Sequence, residues 1–426
     1  MYLIDKLDNG IKVVMESIPY VNSVSIGVIV NTGSINENKY NNGVSHFIEH
    51  MLFKGTMNRN AKEIAETIDN IGGQINAFTG KESTCYYTRV LDRHCDIGIE
   101  VLADMLNNSL FKEEEIEKEK TVIMEEINMY LDSPDDLVSE LLNESMFENT
   151  PLAYPILGIE KSILNLNRKN IMEYFYKYYN PKEIVISLSG NIDTKETLKK
   201  LNYHFGSFNN KVKENNNCII PNNNYRFTNK IKNIEKDTEQ LNLCIGFEGV
   251  SIDSTYMEPM LAMNNVFGGS MSSRLFQKIR EDLGLAYSIY SYPSAYKNTG
   301  ILTIYAGLNP THMVNVIRYI EEEIKYIKKN LISKNQLERS KDQLKANYIL
   351  GMEGTFDRMY EIGKSLSILD RVQSPDEIMR KIDKVSMEDI ESLVNIVFNQ
   401  ENINISYVGE VKNQNKIDEE IKKILF

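Results

Sequence analysis

Residues 46 to 50 read His-Phe-Ile-Glu-His. Imidazoles four residues apart lie on one face of a helix, a turn from each other, so both can reach a single ion. At ~100° per residue, Val44, Phe47, Ile48, Met51 and Leu52 cover one side of this helix, and His46, Glu49 and His50 cover the other. Glu49, next to His50 and three residues after His46, is aimed at the ion's water, which suits a proton acceptor. The order inverts the HExxH arrangement. A hydrolytic zinc needs three protein ligands and an open fourth position, so a further ligand must come from another element.

The segment FKEEEIEKEKTVIMEEINMYLDSP predicts a long acidic helix with Ile116, Ile123, Ile127 and Tyr130 in its apolar stripe. Glu119 and Glu126, two turns apart, border that stripe, so one can bind metal while the other supports it. Spacing alone leaves Glu125 as a rival to Glu126. Glu113, Glu114, Glu115 and Glu117 read as a solvated face.

These helices need a scaffold. NGIKVVMES and SVSIGVIVNTG alternate as strands closed by turns at Asn9-Gly10 and Thr32-Gly33. Helical periodicity runs through 44–54, 61–71, 94–107, 113–132 and 167–178, and EIVISLSG returns as a buried strand. This mixture is α+β. A chain of 426 residues exceeds one ordinary core. The Asn/Lys-rich stretch near 208–236 divides it, which predicts a catalytic domain at 1–210, a linker at 211–235 and a second domain at 236–426. An internal repeat supports two related halves. SVSIGVIVNTGSINE (23–37) resembles LNLCIGFEGVSIDST (241–255), MLFKGT falls in register with NVFGGS, and EIEKEKTVIMEEIN aligns with QLERSKDQLKANYI. The second copy then carries Met260, Met263, Asn264 and Asn347 where the first carries His46, Glu49, His50 and Glu126.

Composition narrows the function classes. A formal charge of −12 argues against a nucleic-acid footprint, which needs a basic face. No 18-residue apolar run predicts a membrane span, and the start MYLIDKLDNGIKVVM lacks a targeting pattern, so the expectation is a cytoplasmic protein. Cys85, Cys95, Cys218 and Cys244 are scattered, as reduced structural thiols are. Gly268-Gly269-Ser270 lacks the Lys-Ser/Thr of a phosphate loop and reads as a turn.

GVSHFIEHMLFKGT followed by EKEKTVIMEEINMYLDSP resembles the pitrilysin-type inverzincin metallopeptidases, most of all bacterial relatives of mitochondrial processing peptidase. The resemblance runs nearly end to end. It implies a zinc endopeptidase with one Zn2+ per chain, in which the Glu closing the family's E-x6-E pattern is the third ligand. That position is Glu126, with Glu119 as the supporting acidic residue. It also implies an edge strand in GGQINAFTGKEST, with Asn76 and Ala77 contacting an extended peptide that adds as a further strand. In SSRLFQKIREDLGLAYSIYS, Arg280 and Tyr287 match residues that reach the substrate from the second half. The implied fold is two homologous α+β domains, each a mostly antiparallel sheet with helices packed on one side, arranged as a clamshell around a cavity. Unfolded or presequence-like peptides would enter that chamber, and a homodimer is expected. The competing expectations are a catalytically silent partner subunit and an enzyme completed by a different chain.

Overall fold

The computed structural model describes residues 2–208 and 225–425. Its first sheet is built from Tyr2–Lys6 (β1), Lys12–Ser17 (β2), Ser23–Val30 (β3), Gln74–Thr79 (β4), Thr84–Leu91 (β5) and Ile184–Gly190 (β6), in the order β1-β2-β6-β3-β5-β4. The second sheet takes Lys230–Ile234 (β7), Leu241–Glu248 (β8), Ala286–Ala295 (β9), Gly300–Leu308 (β10) and Asn404–Val408 (β11), in the order β7-β11-β8-β10-β9. In each sheet one pair is parallel, β2 with β6 and β7 with β11, and every other pair is antiparallel. Five strands of the first sheet therefore repeat in the second with the same order and directions. β3 and β8 begin and end at the positions that the sequence repeat pairs.

The fold class is thus α+β with two related domains. The first core packs Val24, Ile26, Val28 and Val30 of β3 against Phe47, Ile48, Ile99, Leu102 and Ile123 from the helices on one face. Ser25, Gly27 and Ile29 point to the other face, which receives helix Thr355–Leu369. That helix comes close because two glycines permit it. A Cβ on Gly27 would lie 2.2 Å from Met359 Sδ, and one on Gly363 would lie 2.5 Å from Ile29 Cδ1. Ser25 Oγ and Thr355 Oγ1 are 2.9 Å apart, and Ser187 Oγ donates to the Met359 carbonyl at 2.6 Å. The second sheet carries the reciprocal arrangement. Helix Pro134–Met146 lies on it, with Ser406 Oγ donating to Val138 O at 2.8 Å and Ser145 Oγ donating to Asn404 Oδ1 at 2.6 Å.

Two compact units result, and neither follows the sequence halves throughout. The first takes Ile349–Gln373 from the second half, and the second takes Met129–Ala153 from the first. Of the stretch expected as a linker, 211–224 lies outside the described residues, as does Cys218. Residues 230–234 form β7, an edge strand whose alternating lysines hide it in a polar segment.

One buried network fixes the loop that follows the His-bearing helix. Asp104 accepts from Thr56 Oγ1 at 2.7 Å, Asn58 Nδ2 at 2.6 Å and Arg59 Nη1 at 3.0 Å, tying residues 56–59 to helix Cys95–Asn108. Burial pushes the Asp104 carboxyl up, but the bonds from Asn108, Thr56, Asn58 and Arg59 outweigh it and hold it below its ordinary value. A depressed folded pKa gives stability that is complete above the unfolded value, about 3.9, and is lost as pH falls through the folded one. Asp104→Ala should therefore cost about 2 kcal/mol near neutral pH, by leaving Thr56 and Asn58 without their acceptor while Arg59 keeps its pair with Glu100, and less below pH ~3. Urea titrations at both pH values check this.

Candidate metal centre

Helix Val44–Leu52 starts at Gly43, whose φ of 90° is left-handed, and it has no side-chain cap of its own. A distant carboxylate takes that place. Glu37 accepts from Gly43 N at 2.7 Å, Ser45 N at 2.8 Å and Asn42 Nδ2 at 2.9 Å, and although full burial pushes its carboxyl up, these bonds at the helix start draw it back. Tyr174 adds a hydroxyl 2.9 Å from Ser45 Oγ. The apolar side of the helix, Val44, Phe47, Ile48, Met51 and Leu52, is in the core, so the opposite face is presented outward from it.

On that face His46 Nε2 and His50 Nε2 lie 3.7 Å and 3.6 Å from one oxygen, Glu126 Oε2. Glu126 comes from helix Glu113–Asp132, which is fixed by burial of Ile116, Glu119, Ile123 and Ile127. Glu125 is exposed on the same helix and Glu126 half-buried. Among the described residues this trio is the one group of three or more His, Cys, Asp or Glu side chains that converges in this way.

The donor set fits zinc. Bonds of about 2.0–2.1 Å at tetrahedral angles place ligand atoms about 3.3–3.4 Å apart, close to the separations of the Nε2 atoms from Glu126. Burial, with His50 next to it, pulls the His46 pKa down to about 3, so its ring is neutral and keeps a lone pair. His50 Nδ1 donates to Glu119 Oε1 at 2.7 Å, because a carboxylate can only accept, and this leaves Nε2 as the lone-pair nitrogen. Glu119 is 2% exposed, and its other oxygen meets Lys54 Nζ at 2.6 Å. Burial raises its carboxyl, but the bonds from His50 and Lys54 prevail and hold it low. His46 Nδ1 is buried without a hydrogen-bond partner, so packing alone orients that ring.

Glu49 stands beside the trio and not in it. Burial pushes its carboxyl above the ordinary range, while a hydrogen bond donated by Thr79 Oγ1 to Oε2 and the neighbouring His50 draw it back. Thr79 ends β4, an edge strand of the first sheet, and the same strand carries Asn76, exposed, and Ala77, half-buried. Thr79 and Lys54 went unnamed at the level of sequence. Both had a signal: Lys54 closes the segment 44–54 that carries helical periodicity, four residues past His50, and Thr79 shares the period-two face of Ala77.

The second unit holds Arg280 and Tyr287 together. The guanidinium lies 4.7 Å from the Phe276 ring centre and 5.8 Å from that of Tyr287, and Tyr287 is 79% exposed. At the repeat's counterpart of the histidine site, Met260 and Met263 are buried, and Asn264 accepts from Ser291 Oγ at 2.6 Å. Asn347 is exposed.

An inverted His-x-x-Glu-His helix with a carboxylate from a second helix, within a duplicated α+β fold, matches the inverzincin motif of metallopeptidases. Residues 12–160 match the family described as Insulinase (Peptidase family M16), and residues 165–344 match the Peptidase M16 inactive domain. The chain belongs to peptidase family M16.

Among its relatives is the zinc protease YmxG of Bacillus subtilis (strain 168), 43% identical over 92% of this chain and 95% of that one. A zinc protease of Rickettsia bellii (strain RML369-C) is 40% identical over 93% and 94%. The crystal structure of a protease from Helicobacter pylori has the same fold, with a TM-score of 0.90 at 21% identity over 96% of this chain and 99% of that one. A peptidase M16 inactive domain from Pseudomonas fluorescens gives 0.88 at 18% identity over 97% and 98%. Among the described residues no helix is long and apolar enough to cross a membrane.

Proposed function

We propose that this chain is a zinc endopeptidase that holds one Zn2+ through His46, His50 and Glu126 and uses Glu49 as its general base. The observation that carries this reading is the approach of both Nε2 atoms to one oxygen of Glu126, with Glu49 alongside on the same helix face. Zinc bound by two neutral imidazoles and one carboxylate supplies Lewis acidity, acidifying water and polarising a carbonyl. Glu49 takes a proton from water as it attacks the scissile carbonyl, and returns it to the leaving amine. Glu119, braced by Lys54, keeps the His50 ring in the tautomer and orientation that coordination needs.

Among the described residues no strand pairs with the outer edge of β4, and that edge receives an extended peptide as an added strand, with Asn76 and Ala77 at the contact. Main-chain bonding of that kind selects for an extended backbone more than for side chains, so unfolded or presequence-like peptides are the substrate class. Arg280 and Tyr287 are proposed as further substrate contacts, supported by the family spacing and their stacked, exposed pairing. A homodimer belongs to the same proposal on grounds of resemblance, and a cytoplasmic location on grounds of the scattered cysteines, which fit reduced thiols.

The test is the chain purified alone. It should carry about one zinc per chain, cleave an unstructured peptide, lose that activity to a chelator and regain it with added zinc. A preparation without zinc would mark a silent subunit. Zinc without cleavage would point to an enzyme that needs another chain.

A further inference from the structure

Glu49 shares a helix face with two metal ligands, and its flexible side chain could swing to become another. A fourth protein ligand would close the position that a catalytic zinc must keep open. In the structure Glu49 is outside the converging group, which consists of His46, His50 and Glu126. Its Oε2 is instead engaged by Thr79 Oγ1.

Thr79 is rigidly held. It pairs with Thr84 at the closed end of the β4–β5 hairpin, where Gly80 N donates to Ser83 O at 2.8 Å. The hairpin end is tied to the segment after β3. Ile35 N donates to Lys81 O at 2.9 Å, and Thr84 Oγ1 donates to Thr32 O at 2.9 Å. On the opposite face of β4, the Phe78 ring packs 5.1 Å from that of Tyr360. A β-branched side chain on so fixed a strand has little rotamer freedom, so its hydroxyl is a stationary donor.

We propose that Thr79 is a positioning residue that restrains Glu49, holding the carboxylate out of the zinc ligand set and presenting its free oxygen to water. This rests on the reading of Glu49 as general base. It also means that one strand both receives the peptide and aims the base.

The claim separates from a merely structural role because zinc binding and turnover move in opposite directions. Thr79→Val keeps the branched shape and strand preference and removes the donor. As full-length holoenzyme it should bind zinc about tenfold more tightly, read by competition with a chromophoric chelator, as Glu49 joins the ligands. Its kcat on an unstructured peptide should fall about tenfold or more, with KM within about twofold. Thr79→Ser should restore both values. The double variant Thr79→Val/Glu49→Gln should bind zinc no more tightly than Glu49→Gln alone. Unchanged or weaker zinc binding in Thr79→Val overturns the proposal, as does a loss that serine fails to rescue or tight binding that survives in the double variant. If Glu49→Gln cleaves like the parent, the general-base reading itself fails. If Glu49→Gln is inactive while Thr79→Val matches the parent throughout, only the role of Thr79 is lost.

Discussion

Glu126→Gln should purify without zinc and cleave nothing, while Glu125→Gln should keep both properties. Both Nε2 nitrogens approach Glu126 Oε2, at 3.7 Å and 3.6 Å, whereas Glu125 is exposed one position earlier on the same helix. An amide is a poor zinc ligand and would leave the dication with two neutral imidazoles and no negative charge to offset its own. Losing a residue that merely orients a ligand costs about 10–100-fold in affinity, so removing the ligand itself should cost more than that. Atomic absorption on the purified variants, with chelator competition for the affinities, reads the difference. Stoichiometric zinc in Glu126→Gln would put the third ligand elsewhere.

Glu49→Gln should retain its zinc and lose about 10²–10⁴-fold in kcat, the usual worth of a positioned acid–base group. Glutamine has nearly the same shape, and its carbonyl oxygen can still accept from Thr79, so the helix face and the ligand set are preserved. What it lacks is a lone pair basic enough to take a proton from water. Single-turnover cleavage of an unstructured peptide, on samples matched for zinc content, measures this. Turnover within a few-fold of the parent would exclude Glu49 as the base.

Much of this site was legible in the chain itself. Helical geometry alone places His46, Glu49 and His50 on one face, opposite the residues that enter the core. The repeat located β8 because strands in a buried sheet tolerate few register changes. The choice between Glu125 and Glu126 was not available from spacing, since adjacent helical positions differ by ~100° and the stripe's border passes between them. Glu37 was overlooked as the cap of the histidine-bearing helix because it lies six residues before Gly43, outside the local capping pattern. The placement of Pro134–Met146 and Thr355–Leu369 escaped for a related reason. Amphipathic periodicity says which side of a helix is apolar and nothing about which sheet it will cover.

That placement has a consequence for synthesis on the ribosome. The first sheet is complete in sequence once β6 has emerged at Gly190, yet the helix that covers its far face ends only at Leu369. At 5–20 residues per second, the nascent chain would wait roughly 10–35 s with Val14, Ile29 and Val185 uncovered. A chain released early, near residue 210, would never cover them. Such a fragment should bind chaperones or aggregate, and a separately expressed fragment that includes 349–373 should rescue its solubility.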